Sequence, residues 1–459
     1  MAINPHSLAT RDEAVRIEQE YRIADGIYLL GSVARGLTVF DQQVRAHNLA
    51  WALWRVLEGE GADRPLRLAV VGGGIAGLTL AACLLARSRG FHVTLFEERW
   101  DLCPLQQGSD TRWVHPHIYR WPEHGSRAPD AGLPVLNWTE GRASDVSREI
   151  LEGFGRYADK FYANAFGGER MDLFLGLSHL RIDATDRTME WMGRTGQRNG
   201  AYVRAGDADG SRRPFDVIVL ATGFGLEEGV ADFEGATSYW RNDRVGQPHL
   251  SGDRRTYMIS GFGDGALVDL CRLTIERFRQ DAILYELFED RLEAVEGELR
   301  SLIGADFGRT ALNVHDMFDG APAPLSDALE HARDRLRARL RKDTHVVLHA
   351  SGRNGGRTSL RDLFDGHSSF LNRTLLYLLY RCGGFVLSLR DLGITAKEFS
   401  VPPERTIVRY GADTIGSIEA LFTDPGVISG RVKKIKDDGL QAAIRRWPLG
   451  AFDSLGVGA

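Results

Sequence analysis

Between Leu66 and Glu98 the chain reads LRLAVVGGGIAGLTLAACLLARSRGFHVTLFEE, and few folds accommodate that order of residues. Leu68-Ala69-Val70-Val71 is an apolar run of buried-strand length, bounded by glycines. Gly72, Gly74 and Gly77 then stand in G-x-G-x-x-G spacing. An Ala/Leu-rich helix is expected from about Ile75 to Arg87, closed by Gly90. A second strand, His92 to Phe96, delivers Glu97, twenty residues past Gly77, with Glu98 behind it. Strand, tight turn, helix, strand and acid form one unit of about thirty residues.

Each part has a physical task. Gly72 permits the sharp exit from the strand, Gly74 has no Cβ to hold a pyrophosphate away, and Gly77 lets the helix approach the sheet. The first turn, Ile75 and Ala76 included, offers unpaired N–H groups and the positive end of the helix dipole to phosphate. Glu97 can accept hydrogen bonds from ribose hydroxyls, which suits an unphosphorylated ribose and opposes a 2′-phosphate. Leu68 to Ala86 also carries no charge over nineteen residues, enough for a membrane helix. The glycine triplet near its start would break such a helix, so a span is not expected.

A chain of 459 residues needs more than one core. Charged residues at 26% and hydrophobic ones at 43% describe a globular protein. A net charge of −5 gives no global basic field, and no nucleic-acid or membrane partner is expected. Cys83, Cys103, Cys271 and Cys382 are widely separated, so neither a dithiol pair nor a zinc ribbon is indicated, and no metal is expected. The first residues lack a basic stretch followed by an apolar one, which makes a cytoplasmic location the expectation.

Three domains are expected: a helical extension over 1–66, a nucleotide-binding domain over 67–275 and a mainly helical domain over 276–459. In the first, Asp41 to Leu57 reads as a helix whose Trp51 and Trp54 share a face, for packing or for an interface in a homo-oligomer. Leu102 to Trp138 is a Pro-rich, aromatic-rich excursion without periodicity, long enough to suggest function. After a helix over about 145–166 come strands at Leu177–Ile182, Thr188–Met192 and Ala201–Arg204, a β-meander. It feeds the apolar strand Asp216 to Leu220, followed by Ala221-Thr222-Gly223. A further strand, Thr256–Ser260, precedes Gly261-Phe262-Gly263-Asp264 and a helix. From Lys433 onward a frayed tail is expected.

This order of motifs resembles the FAD-dependent oxidoreductases of the two-dinucleotide-binding-fold type, on Gly72, Gly74, Gly77, Glu97, Ala221-Thr222-Gly223 and Gly263-Asp264, across roughly residues 66–275. The resemblance implies an α/β fold with a Rossmann-type FAD-binding domain and a β-meander. It also implies FAD as cofactor, Glu97 on the adenosine ribose, and Asp264 on the ribityl chain or a phosphate. Asp264 read by itself is equally an N-cap. No second G-x-G-x-x-G follows a strand, so a dedicated NAD(P)H domain is not expected, and NAD(P)H would dock transiently.

Candidate chemistry is sought in the excursion. Arg112 can pair a substrate carboxylate or phosphate, or help hold the cofactor. His115 and His117 are candidate general bases, with Tyr119 beside them, and Tyr119 and Trp121 are candidate walls for a flat ring or substrate. His345, His349 and Arg353 form a weaker second cluster. The expected function is oxidoreduction of a small organic molecule, with a monooxygenase using NAD(P)H and O2 placed first. An amine, amino-acid or alcohol oxidase or dehydrogenase is the alternative, and a non-catalytic flavin-binding regulator the third class.

Overall fold

The computed structural model describes residues 5–31, 33, 37–58, 64–87, 90–162, 170–193, 211–223, 227, 238–250, 252–304, 313–351, 359–438 and 444–452. The chain begins with α1 (Pro5–Tyr21), the antiparallel pair β1 (Arg22–Ala24) and β2 (Ile27–Leu29), and α2 (Val39–Val56). Then β3 (Leu66–Val71), α3 (Ile75–Arg87) and β4 (Phe91–Phe96) follow where the pattern puts them. The excursion is ordered, with β5 (Trp113–Val114) pairing β6 (Gly141–Arg142) beyond it. Next stand α4 (Ala143–Tyr162), β7 (Met171–Phe174), β8 (Leu177–Asp183), β9 (Thr188–Gly193), β10 (Ser211–Pro214) and β11 (Val217–Leu220). Strands β8 to β10 make the meander, whose third strand is Ser211–Pro214. The expected strand at Ala201–Arg204 lies outside the described residues.

The first sheet has the order β1-β2-β11-β3-β4-β7, parallel except for β1. Numbering β3, β4, β7 and β11 as one to four gives 3-2-1-4, the dinucleotide-fold order. Leu68 and Val70 face a core shared with α2 and α3, while Ala69 and Val71 face Phe96, Phe174 and Trp191 on the meander side. Burial on both faces explains why the strand reads as an unbroken apolar run. Residues 1–66 are therefore not a separate extension at this point in the fold, because β1 and β2 extend the sheet and α1 and α2 enter its core.

The remaining elements are β12 (Arg255–Ser260), α5 (Asp264–Thr274), α6 (Ile283–Phe288), α7 (Leu292–Ile303), α8 (Val314–Asp319), α9 (Ala323–Ala338) and β13 (Thr344–His349). They are followed by α10 (Phe370–Cys382), β14 (Val386–Ser388), α11 (Leu392–Glu398), β15 (Thr406–Val408), α12 (Thr414–Glu419) and α13 (Gly426–Asp438). This region is mainly helical, as expected. Its short strands were not expected to form a sheet, yet β14-β13-β12-β15 is one, parallel throughout. In chain order that is again 3-2-1-4. Tyr257, Ile259, Val346 and Leu348 pack under α5, α9 and α10, whereas Met258, Val347 and Val408 pack with Ala396 of α11. So β12 does not close the first sheet; it opens the second.

The chain then returns. Ile428, Val432 and Ile435 of α13 join the meander-side core of the first sheet. Trp447 and Phe452 pack against α2, where the Trp447 ring stacks on His47 at 4.8 Å. In place of the expected frayed tail, α13 and Trp447 to Phe452 are packed. Among the described residues no helix is long and apolar enough to cross a membrane.

Candidate functional site

The end of β3 shows why its glycines are required. Gly72 has φ +115°, and a Cβ there would overlap the Ala221 carbonyl oxygen and lie 2.7 Å from its carbon. A Cβ on Gly77 would overlap the Gly72 carbonyl oxygen, so α3 sits directly on the turn. At Gly74 a Cβ would meet nothing within 4 Å: that side of the turn is open. Gly72 donates its N–H to Phe96 O at 2.7 Å, and Ala221 donates to Val71 O at 2.7 Å. These bonds align the carboxyl ends of β11, β3 and β4 around one crevice, at the point where the strand order reverses.

Glu97 lies in that crevice. Its Oε2 accepts the Gly73 N–H at 2.6 Å and its Oε1 the Arg99 N–H at 2.8 Å. Burial pushes its pKa upward, and the two N–H bonds oppose that. Glu98 is exposed and pairs with Arg99 at 2.9 Å. Ile75 and Ala76 open α3, with the Leu78 N–H the first to bond back, to Gly74 O at 3.0 Å. Thr222 and Gly223 follow β11; Gly223 has φ +68° and nothing near its Cβ position. The open turn, the unpaired first N–H groups of α3 and the buried carboxylate fit an adenine dinucleotide with a free ribose.

Residues 67–209 match the family model described as "DAO: FAD dependent oxidoreductase". That stretch of the chain is similar to FAD-dependent oxidoreductases. The matched stretch contains the first G-x-G-x-x-G. No curated protein matches the chain. Among solved structures, L-lysine 6-monooxygenase from Pseudomonas syringae is 16% identical with a TM-score of 0.21, over 39% of this chain and 40% of that one. A NAD-dependent persulfide reductase from A. fulgidus is 16% identical with a TM-score of 0.24, over 45% and 32%. The OTEMO complex with FAD and NADP is 13% identical with a TM-score of 0.32, over 76% and 72%. The match thus spans about two-fifths of the lysine monooxygenase and a third of the reductase. Scores this low identify no shared activity.

Gly263 and Asp264 are not part of the first sheet. They follow β12 and begin α5 in the second sheet, with Gly263 as N-cap. Asp264 Oδ1 accepts the Ser369 N–H at 2.8 Å and the Asn372 Nδ2–H at 2.7 Å, which ties α5 to the start of α10.

The excursion connects the FAD-binding unit to the second one, and most of its candidate residues are structural. Arg112 is buried. It donates to Asp269 Oδ1 at 2.5 Å and to Tyr239 O at 2.6 Å, with its guanidinium 4.1 Å from the Tyr239 ring centroid. Asp269 also receives Arg272 at 2.9 Å and Arg409 at 2.9 Å, while Asp243 pairs Arg272 at 2.6 Å and Glu227 pairs Arg409 at 2.8 Å. Burial alone would raise the Asp269 pKa, but Arg112, Arg409 and Arg272 hold it far below the carboxylate range. Arg112 therefore serves this knot rather than a substrate.

Trp121 is likewise no substrate wall. It is buried in the second core beside Phe370, at 5.7 Å between ring centroids, and donates its indole N–H to Glu296 at 2.9 Å. Tyr119 accepts a bond from Gln280 at 2.9 Å, and burial raises its pKa, with Tyr239 and Asp264 adding to the effect. Its hydroxyl stays protonated near neutrality.

His115 Nδ1 accepts the N–H groups of His117 at 3.0 Å and Ile118 at 3.1 Å. Its lone pair is thus already committed, and burial, with His117 adding to it, lowers its pKa to about 4. A general-base role would require breaking that turn. His117 is held by Asp130 O at 3.1 Å and sits edge-on to Phe40. We expect His115→Ala to retain FAD and to lose about 1–2 kcal/mol of stability, as for a lost cap, read by thermal unfolding followed through flavin fluorescence. Slowed turnover at unchanged stability would restore a catalytic assignment. Of the second cluster, His349 is buried, with Nδ1 2.6 Å from Ser260 Oγ and Nε2 2.8 Å from Arg390 O. Arg353 and Asn354 to Arg357 lie outside the described residues.

A residue pattern missed in the sequence is Gly261-Phe262-Gly263-Asp264-Gly265-Ala266, a G-x-G-x-x-A at the end of β12. Alanine substitutes for the third glycine in such motifs. Among the described residues no cluster of His, Cys, Asp and Glu could hold a metal ion.

Proposed function

We propose that the protein is an NAD(P)H-dependent flavin monooxygenase acting on a small organic molecule. The observation that carries this reading is the second 3-2-1-4 sheet opening with Gly261-Phe262-Gly263-Asp264-Gly265-Ala266. Such a unit gives reduced nicotinamide dinucleotide a resident site, where transient docking was expected from the sequence. The flavin supplies two-electron acceptance from nicotinamide and reaction with dioxygen. The chain's part is to hold the two nucleotides: Gly72, Gly74, Gly77 and Glu97 for FAD, and the β12–α5 turn for the other. The four cysteines are free, which supports dioxygen rather than a protein dithiol as acceptor. An oxidase or dehydrogenase of amines, amino acids or alcohols, or a regulatory flavin binder, leaves the second unit without a ligand. The partners we propose are this small substrate and the dinucleotide, in a cytoplasmic protein.

The test is an absorbance spectrum of purified protein, with NADPH or NADH added anaerobically and air admitted afterwards. Flavin bands that bleach with nicotinamide and return in air are the expected result. Bands that ignore both nicotinamides would sink the monooxygenase reading and favour a donor such as an amine or alcohol.

A further inference from the structure

We propose that the second unit selects a nicotinamide dinucleotide bearing a 2′-phosphate over the unphosphorylated one. This inference rests on the functional reading above, and deepens it.

The two units match bond for bond. Gly261 repeats Gly72: φ is +134°, its N–H goes to His349 O at 3.0 Å, and a Cβ would lie 2.6 Å from Arg409 O. Arg409 repeats Ala221, donating its N–H to Ser260 O at 2.8 Å. Gly263 repeats Gly74, with nothing within 4 Å of its Cβ position, and Ala266 stands where Gly77 does. A second observation points to a ligand. Asn372, wholly buried, spends its amide N–H on Asp264 at the start of α5, and its Oδ1 has no partner among the described residues. A buried amide oxygen left unpaired at a nucleotide turn is an acceptor for a ligand hydroxyl or amide.

Register then identifies the specificity position. Val71 pairs with Phe96 and Glu97 follows; Ser260 pairs with His349 and Ala350 follows. Where the FAD unit has a buried carboxylate for the ribose hydroxyls, the second unit has a methyl group. Ala350 is fully buried and donates its N–H to Ser388 O at 3.0 Å. No carboxylate at that position repels a 2′-phosphate, and none binds the free hydroxyls.

A cation stands at the same end of the sheet. Arg390, two residues past β14, has its carbonyl bonded by His349 Nε2 at 2.8 Å. Its guanidinium is exposed, with Glu398 at 3.2 Å. An exposed pair of this kind is worth little and exchanges readily for a phosphate. The neighbouring Asp391 caps α11, accepting the N–H groups of Gly393 at 2.9 Å and Ile394 at 3.2 Å.

The test is calorimetric titration of the FAD-loaded protein with NADP+, NAD+ and adenosine 2′,5′-bisphosphate. NADP+ is expected to bind roughly tenfold or more tightly than NAD+, with the bisphosphate competing. Arg390→Ala should narrow that ratio by weakening NADP+ alone, and Ala350→Glu should reverse it. Should Ala350→Glu not fold in its tight site, Arg390→Ala still decides. Equal or tighter binding of NAD+, or a ratio that Arg390→Ala leaves unchanged, overturns the selectivity while the functional reading stands. Failure of both dinucleotides to bind the FAD-loaded protein overturns the two together.

Discussion

Gly74→Val yields a folded protein that purifies without flavin. The position is unusual among the glycines of the cradle because a side chain there meets no protein atom within 4 Å. The valine therefore disturbs little of the fold and occupies the space through which a pyrophosphate approaches the N–H groups of α3. Overpacking of that kind costs about 1–3 kcal/mol, so FAD affinity should fall by roughly tenfold to a hundredfold. The measurement is flavin absorbance per chain, before and after incubation with FAD, beside a far-ultraviolet circular dichroism spectrum. Wild-type flavin content in the variant would show that FAD lies elsewhere. Gly77→Ala is the contrasting substitution: its methyl group meets the Gly72 carbonyl oxygen unless α3 shifts outward, so it should lower stability and flavin content together.

Asp269→Asn should be the most destabilising single change in the arginine knot. The carboxylate is fully buried and receives Arg112, Arg272 and Arg409. Removing its charge leaves three guanidinium groups to share Asp243 and Glu227 among the described carboxylates. Breaking a buried pair in this way costs about 3–5 kcal/mol, measurable as a shift in the denaturant midpoint. The pH dependence has a definite sign. The Asp269 pKa is depressed in the fold, so its contribution is complete above the unfolded value of roughly 3.9 and declines as pH falls toward the lower folded value. His47 and His115, both lowered by burial to about 4 from 6.5, act at higher pH. The unfolded chain takes up their protons first, so stability should begin to fall as pH drops below about 6.5. Asp269→Asn should keep that histidine phase and weaken the phase below roughly pH 4, to which Asp343 and Asp216 also contribute. A loss under about 1 kcal/mol would mean that the knot does not hold the units together.

The first nucleotide unit was legible because its information is local. Strand, glycines, helix and acid occupy thirty consecutive residues, and each constrains its neighbours. The second was obscured for two physical reasons. Its third glycine position is Ala266, and its second strand begins only at Thr344, after helices α6 to α9. Strands β14 and β15 are three residues each, too short to give a period of two. The signal that was present is Ser260-Gly261-Phe262-Gly263 directly after an apolar strand. The excursion after β4 stands out in the sequence by its prolines and aromatic residues, but the roles of those residues are not in the sequence around them. Arg112 and Trp121 are defined by Asp269 and Glu296, more than 150 positions away.

The core beneath the β3–α3 turn combines Leu49 and Trp51 of α2 with Trp447 and Phe452. Synthesis at about 5–20 residues per second places tens of seconds between those segments. A nascent chain can pair β3 with β4 and pack α2 against α1 and α3 long before then, but the His47 side of α2 still waits for Trp447 and Phe452. For that interval the His47 edge of α2 lacks its aromatic cover. A chain that stops before Trp447 should therefore be less stable than one that reaches residue 452.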